Sequence, residues 1–104
     1  LGADAVRDIV GSYLRDAPRR IAALEAAFAA GDARLVEREA HTLKSSSGTV
    51  GAVAIAAIAE QLEQAAPAGL TDGMAPQVAE IARLYASAKP VLEAARDGGS
   101  DQPG

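Results

Sequence analysis

Asp32-Ala33-Arg34-Leu35-Val36-Glu37-Arg38-Glu39-Ala40-His41-Thr42-Leu43-Lys44-Ser45-Ser46-Ser47-Gly48 reads as one helix with both ends marked. Asp32 carries the short acceptor side chain that takes an orphan N–H at a helix start. Val36, Ala40 and Leu43 recur at helical spacing and form an apolar stripe, with Ser47 continuing its direction. The polar run Ser45-Ser46-Ser47-Gly48 then weakens the helix and ends it between Gly48 and Gly51.

The same period extends to both sides. Upstream, Ile21, Leu24, Ala27 and Phe28 face inward on a helix running to about Ala30, where Gly31 tolerates the positive φ of a helix end. Before that, Val6, Ile9, Val10, Tyr13 and Leu14 mark a first helix from about Asp4 to Asp16. Asp16-Ala17-Pro18 reads as a restart, with Asp16 as cap and Pro18 in the first turn of the next helix. Downstream, Ile55, Ile58, Ala59, Leu62 and Ala66 form the buried stripe of a helix that starts near Gly51. Pro67 to Gly73 is rich in turn formers. A last helix begins near Met74 or Pro76 and turns Val78, Ile81, Tyr85, Ala88 and Leu92 inward, with Pro90 predicted to kink or interrupt it. Strand-like alternation is nearly absent. The expected fold is therefore all-α: an up-down antiparallel four-helix bundle with an additional N-terminal helix. Residues 1–96 form the bundle, and residues 97–104, polar and without an apolar anchor, form a disordered tail or linker.

Composition narrows the chemistry. The chain has 104 residues, about half of them apolar, and a net charge of −4, which suits one globular domain. With no cysteine there is no disulfide, no thiol catalysis and no cysteine–zinc site. His41 is the only histidine, so no multi-histidine metal centre forms within one chain. Neither metal nor cofactor is expected. Mild acidity argues against a general nucleic-acid binder, and no apolar run approaches the ~20 residues of a membrane helix. No glycine-rich nucleotide loop is present, so the chain has no ATP site of its own. The first residue is Leu1, without a signal pattern or initiator Met, which fits either an excised piece of a larger protein or a processed chain. A cytoplasmic, monomeric domain is the expectation.

His41 lies well away from the core direction of its helix. Its helical neighbours are Glu37, Lys44, Ser45 and Gly48, one cation and several small or flexible groups. A neutral imidazole offers one nucleophilic ring nitrogen. To take a phosphoryl group it needs access, a nearby cation and a group that holds its other nitrogen. Lys44, one turn on, can supply the cation. Glu63, at the edge of the next helix's apolar stripe, can accept the Nδ1 proton and leave Nε2 as nucleophile. Arg34 and Arg38 lie near the same face, either as ordinary surface charges or as contacts to an acidic rim on a partner.

The run Ala40-His41-Thr42-Leu43-Lys44-Ser45-Ser46-Ser47-Gly48-Thr49-Val50-Gly51-Ala52 resembles the signature of histidine-containing phosphotransfer (HPt) domains. Gly31-Asp32 upstream and Leu62-Glu63 downstream fall where that family has them. The resemblance implies a four-helix bundle that accepts phosphate on His41 and exchanges it with a receiver-domain aspartate. It implies that Lys44 supports the phosphate and Glu63 orients the ring, and that Ser45 and Gly48 line the docking face. Any Mg²⁺ comes with the response-regulator receiver, and a sensor histidine kinase is a further partner. The carrier is either freestanding or part of a hybrid or chemotaxis-type sensor kinase. Ser45 departs from the glycine that the family commonly has after the lysine. Two other classes compete. A non-catalytic helical adaptor requires a contiguous exposed apolar patch and indifference to His41. A small-molecule-binding bundle requires an internal cavity with convergent polar groups.

Overall fold

The computed structural model describes residues 2–98, in which four α-helices carry the fold: α1 (Ala3–Ala29), α2 (Ala33–Thr49), α3 (Val53–Ala65) and α4 (Ala75–Gly98). Two glycines make the tight corners. Gly31 at φ 72° and Gly51 at φ 81° adopt the left-handed conformation that glycine reaches without steric strain. At each corner the following N–H reaches back five residues to close the preceding helix: Asp32 N to Ala27 O at 2.9 Å, and Ala52 N to Ser47 O at 2.8 Å. Asp32 Oδ1 accepts the Leu35 N–H at 3.1 Å and caps α2. Two short 3₁₀ turns, Ala66–Ala68 and Asp72–Met74, lead from α3 into α4.

α1 and α2 run antiparallel, since Tyr13 meets Ser47 and Arg20 meets Glu39. α3 packs against α2, and α4 closes the ring against α1 and α3. Leu24, Val36, Leu43, Ile55, Leu62 and Ile81 are essentially inaccessible to solvent, so all four helices contribute to one core.

The N-terminal organisation corrects the sequence reading. α1 is one continuous helix through Pro18, and the additional N-terminal helix is its first half. The buried row Val10, Tyr13, Ala17, Ile21, Leu24 and Ala27 passes unbroken beneath the proline. Pro18 has no N–H for the carbonyl four residues back, which belongs to Leu14. The Tyr85 hydroxyl on α4 donates to that carbonyl at 3.4 Å. Asp16 is not a cap: its carboxylate bonds Arg19 and Arg20 one turn on.

Pro90 does not interrupt α4 either. Pro90 and Ala86 both lie on the exposed side, so water can satisfy the Ala86 carbonyl that loses its helical partner. α4 continues through Asp97 and Gly98, both placed in a tail from the sequence; residues 99–104 lie outside the described residues. Val6, expected inward, is 37% exposed near the start of α1.

Candidate functional site

The packing of α2 and α3 decides where the polar side chains meet. α2 buries Val36, Ala40, Leu43 and Ser47, and so turns His41 and Lys44 towards solvent and the α3 flank. α3 buries Ile55, Ala59 and Leu62, and Glu63, next along the chain, stands at the edge of that stripe. The result is a three-residue cluster. His41 Nδ1 lies 2.5 Å from Glu63 Oε2, and Lys44 Nζ lies 2.6 Å from Glu63 Oε1. The His41 side chain is 62% exposed, against 33% for Lys44 and 20% for Glu63.

A carboxylate only accepts, so Nδ1 carries the proton and donates it to Glu63. The Nε2 lone pair is left without a proton and points away from that contact. The Lys44 ammonium first, and the His41 hydrogen bond second, hold the Glu63 carboxyl below the usual carboxylate range. Its own close contact with Glu63 raises Lys44 above the ordinary lysine range. At neutral pH the cluster is therefore a carboxylate clamped between an ammonium and an imidazole N–H.

The other residues singled out from the sequence surround this cluster. Ser45, one turn beyond His41, is exposed, and so is Gly48 a further turn on. Gly48 has an ordinary helical backbone, and a Cβ built there meets no atom within 4 Å. Nothing in the fold requires glycine at that place. Arg34 and Arg38 are exposed on the N-terminal part of the same helix, and among the described residues neither has an ion-pair partner. The structure brings His41, Lys44 and Glu63 together; it leaves Ser45, Gly48, Arg34 and Arg38 as an open row on α2.

Two polar links escaped the sequence reading. Tyr13 Oη and Ser47 Oγ share a buried hydrogen bond of 2.8 Å between α1 and α2. Glu39, 6% exposed, accepts from Arg20 Nη1 at 3.3 Å across the same interface. Neither sits at the histidine face. A groove of about 520 Å³ between α1 and α2, bordered by Ser12, Arg15 and Thr49, opens to solvent rather than into the core. Among the described residues the exposed large apolar side chains are Val6, Val53 and Val91. No helix among the described residues is long and apolar enough to cross a membrane.

Compared with known proteins, the chain matches the family model described as Hpt domain over residues 8–96. No curated protein and no solved structure matches it.

Proposed function

From the premise that the chain belongs to the Hpt domain family, whose members serve histidine phosphotransfer in two-component phosphorelays, we propose that His41 Nε2 exchanges a phosphoryl group with a receiver-domain aspartate. One observation carries this reading: an exposed imidazole whose Nδ1 is held by Glu63, so that Nε2 is both accessible and nucleophilic.

In the forward step Nε2 attacks the phosphorus of the receiver's aspartyl phosphate. The N–P bond forms, the P–O bond to the aspartate breaks, and that carboxylate leaves with the electron pair. The Nδ1 proton stays where it is, so the ring becomes a phosphoimidazolium whose positive charge faces the Glu63 carboxylate. Return of the phosphoryl group to an aspartate reverses each of these changes. Glu63 thus acts twice, first fixing the tautomer and then meeting the charge that develops.

The receiver has to bring its aspartate to Nε2, and bulk beside the ring opposes that approach. Ser45 and Gly48, small and exposed on the C-terminal side of His41, fit this need. Arg34 and Arg38 on the other side offer unpaired cations to an acidic rim.

The direct test is incubation with a phosphorylated receiver domain, scored for acid-labile, base-stable phosphate. The parent chain takes up label, and His41→Gln takes up none while keeping its helical circular dichroism. Acid-labile label retained in the variant overturns the proposal.

A further inference from the structure

The side chains around His41 divide into two sides, and the contacts to α3 tell them apart. At helical spacing Lys44, three residues on, stands about 60° to one side of His41, and Arg38, three residues back, about 60° to the other. Lys44 Nζ lies 2.6 Å from Glu63 Oε1, so its side is the α3 side. Arg38 is therefore on the side away from α3, together with Thr42 and Ser45. The imidazole is held towards α3 through Nδ1, which meets Glu63. Nε2, across the ring from Nδ1, faces the other side. Of the three side chains there Arg38 alone is charged, and the Thr42 hydroxyl already donates to the Arg38 carbonyl at 3.2 Å.

Two further features bring Arg38 to Nε2. Helical side chains lean towards the N-terminus, so the His41 ring stands over the turn that carries Arg38. The rise between the two residues is about 4.5 Å, well within the span of an extended arginine. Arg38 is also exposed, and among the described residues it has no ion-pair partner to give up.

Resting on the phosphotransfer reading above, we propose that Arg38 binds the phosphoryl group carried on His41 Nε2. Its planar guanidinium meets two phosphoryl oxygens at once. The phosphoryl group then has a cation from this chain on the side of the ring opposite Lys44, and keeps it after the receiver has left. Without phosphate the same cation is free for a partner's acidic rim. The two roles differ in when they act, and they separate by donor.

The test uses the whole chain and a donor that needs no docking. Phosphoramidate passes its phosphoryl group to Nε2 and releases ammonia. Arg38→Gln keeps the helical circular dichroism and takes this label about two- to fivefold more slowly than the parent, the scale of an exposed charge pair. Arg38→Lys recovers part of the rate. The phosphorylated chains are then followed by ³¹P NMR against pH. A guanidinium on the phosphoryl oxygens favours the dianion, so the titration of Arg38→Gln moves to higher pH than the parent's, with Arg38→Lys between them. The proposal is overturned if the ³¹P titration of Arg38→Gln coincides with the parent's; a rate loss confined to transfer from the receiver then makes Arg38 a rim contact only. A parent chain that takes label from neither phosphoramidate nor a phosphorylated receiver overturns the phosphotransfer reading, and this proposal with it.

Discussion

α2 makes a side-chain link on each of two flanks, and the two are opposite in kind. Towards α1, Ser47 meets Tyr13 through a 2.8 Å hydrogen bond in the core, where Ser47 is 0% and Tyr13 4% exposed. Towards α3, His41 meets Glu63 at the surface. The buried link has every polar atom spoken for and no reactive group turned outward. The surface link leaves one nitrogen free. A hydrogen bond shut off from water contributes to stability chiefly through what its loss would orphan, whereas a hydrogen bond at the surface contributes little to stability and can spend its geometry on orienting a reactive atom. The two flanks should accordingly fail in different assays.

The largest expected effect is on the surface flank. Ser45→Arg places a long side chain one turn from His41. Transfer from a phosphorylated receiver should fall by roughly tenfold or more, equivalent to about 1.4 kcal/mol or more in the barrier, with the thermal midpoint unchanged. Phosphorylation by a small donor such as phosphoramidate, which needs no docking, should be much less affected. Equal losses with both donors would mean that the row does not dock the receiver and that the surface flank is not the working one.

The buried flank gives the converse. Tyr13→Phe removes the hydroxyl and leaves Ser47 Oγ in the core without its partner, at a cost of about 1–3 kcal/mol by denaturant unfolding. Its transfer rate should match the parent's under conditions where both are folded. A Tyr13→Phe chain that is as stable as the parent but slow in transfer would erase the contrast between the flanks.

The smallest effect sharpens it. Gly48 stands in a helix with open space where a Cβ would sit. Gly48→Ala should raise stability by about 0.5–1 kcal/mol through reduced backbone entropy in the unfolded chain. A modest slowing of transfer from the receiver, with small-donor labelling unchanged, would mark this glycine as kept for approach rather than for folding. A variant both more stable and equally fast would remove Gly48 from the docking row.

The surface site was legible in the sequence because it is local. His41, Lys44, Ser45 and Gly48 lie within two helical turns, and the spacing alone puts them on one face. Glu63 needed only the apolar stripe of its own helix to be placed at an edge. The corners at Gly31 and Gly51 and the cap at Asp32 follow from equally local chemistry. What the spacing could not reveal depends on residues far apart in the chain. Pro18 reads as a helix start because the hydroxyl that satisfies the Leu14 carbonyl comes from Tyr85, 71 positions beyond Leu14. Glu39 looks like a surface acid until Arg20 arrives from α1 to cover it. The pairing of Lys44 with Glu63 is likewise a contact that nothing in its own helix predicts.

The Tyr85–Leu14 contact also bears on the order in which the molecule can be assembled. During synthesis the whole of α1 emerges long before Tyr85 does. Until then the segment before Pro18 and the segment after it have no side chain to bridge the missing backbone bond, and water holds the Leu14 carbonyl. The rod-like form of α1 is thus completed by α4, the helix of this bundle made after the other three. A nascent chain stalled before Tyr85 should therefore show the first half of α1 more open to protease than the completed bundle does.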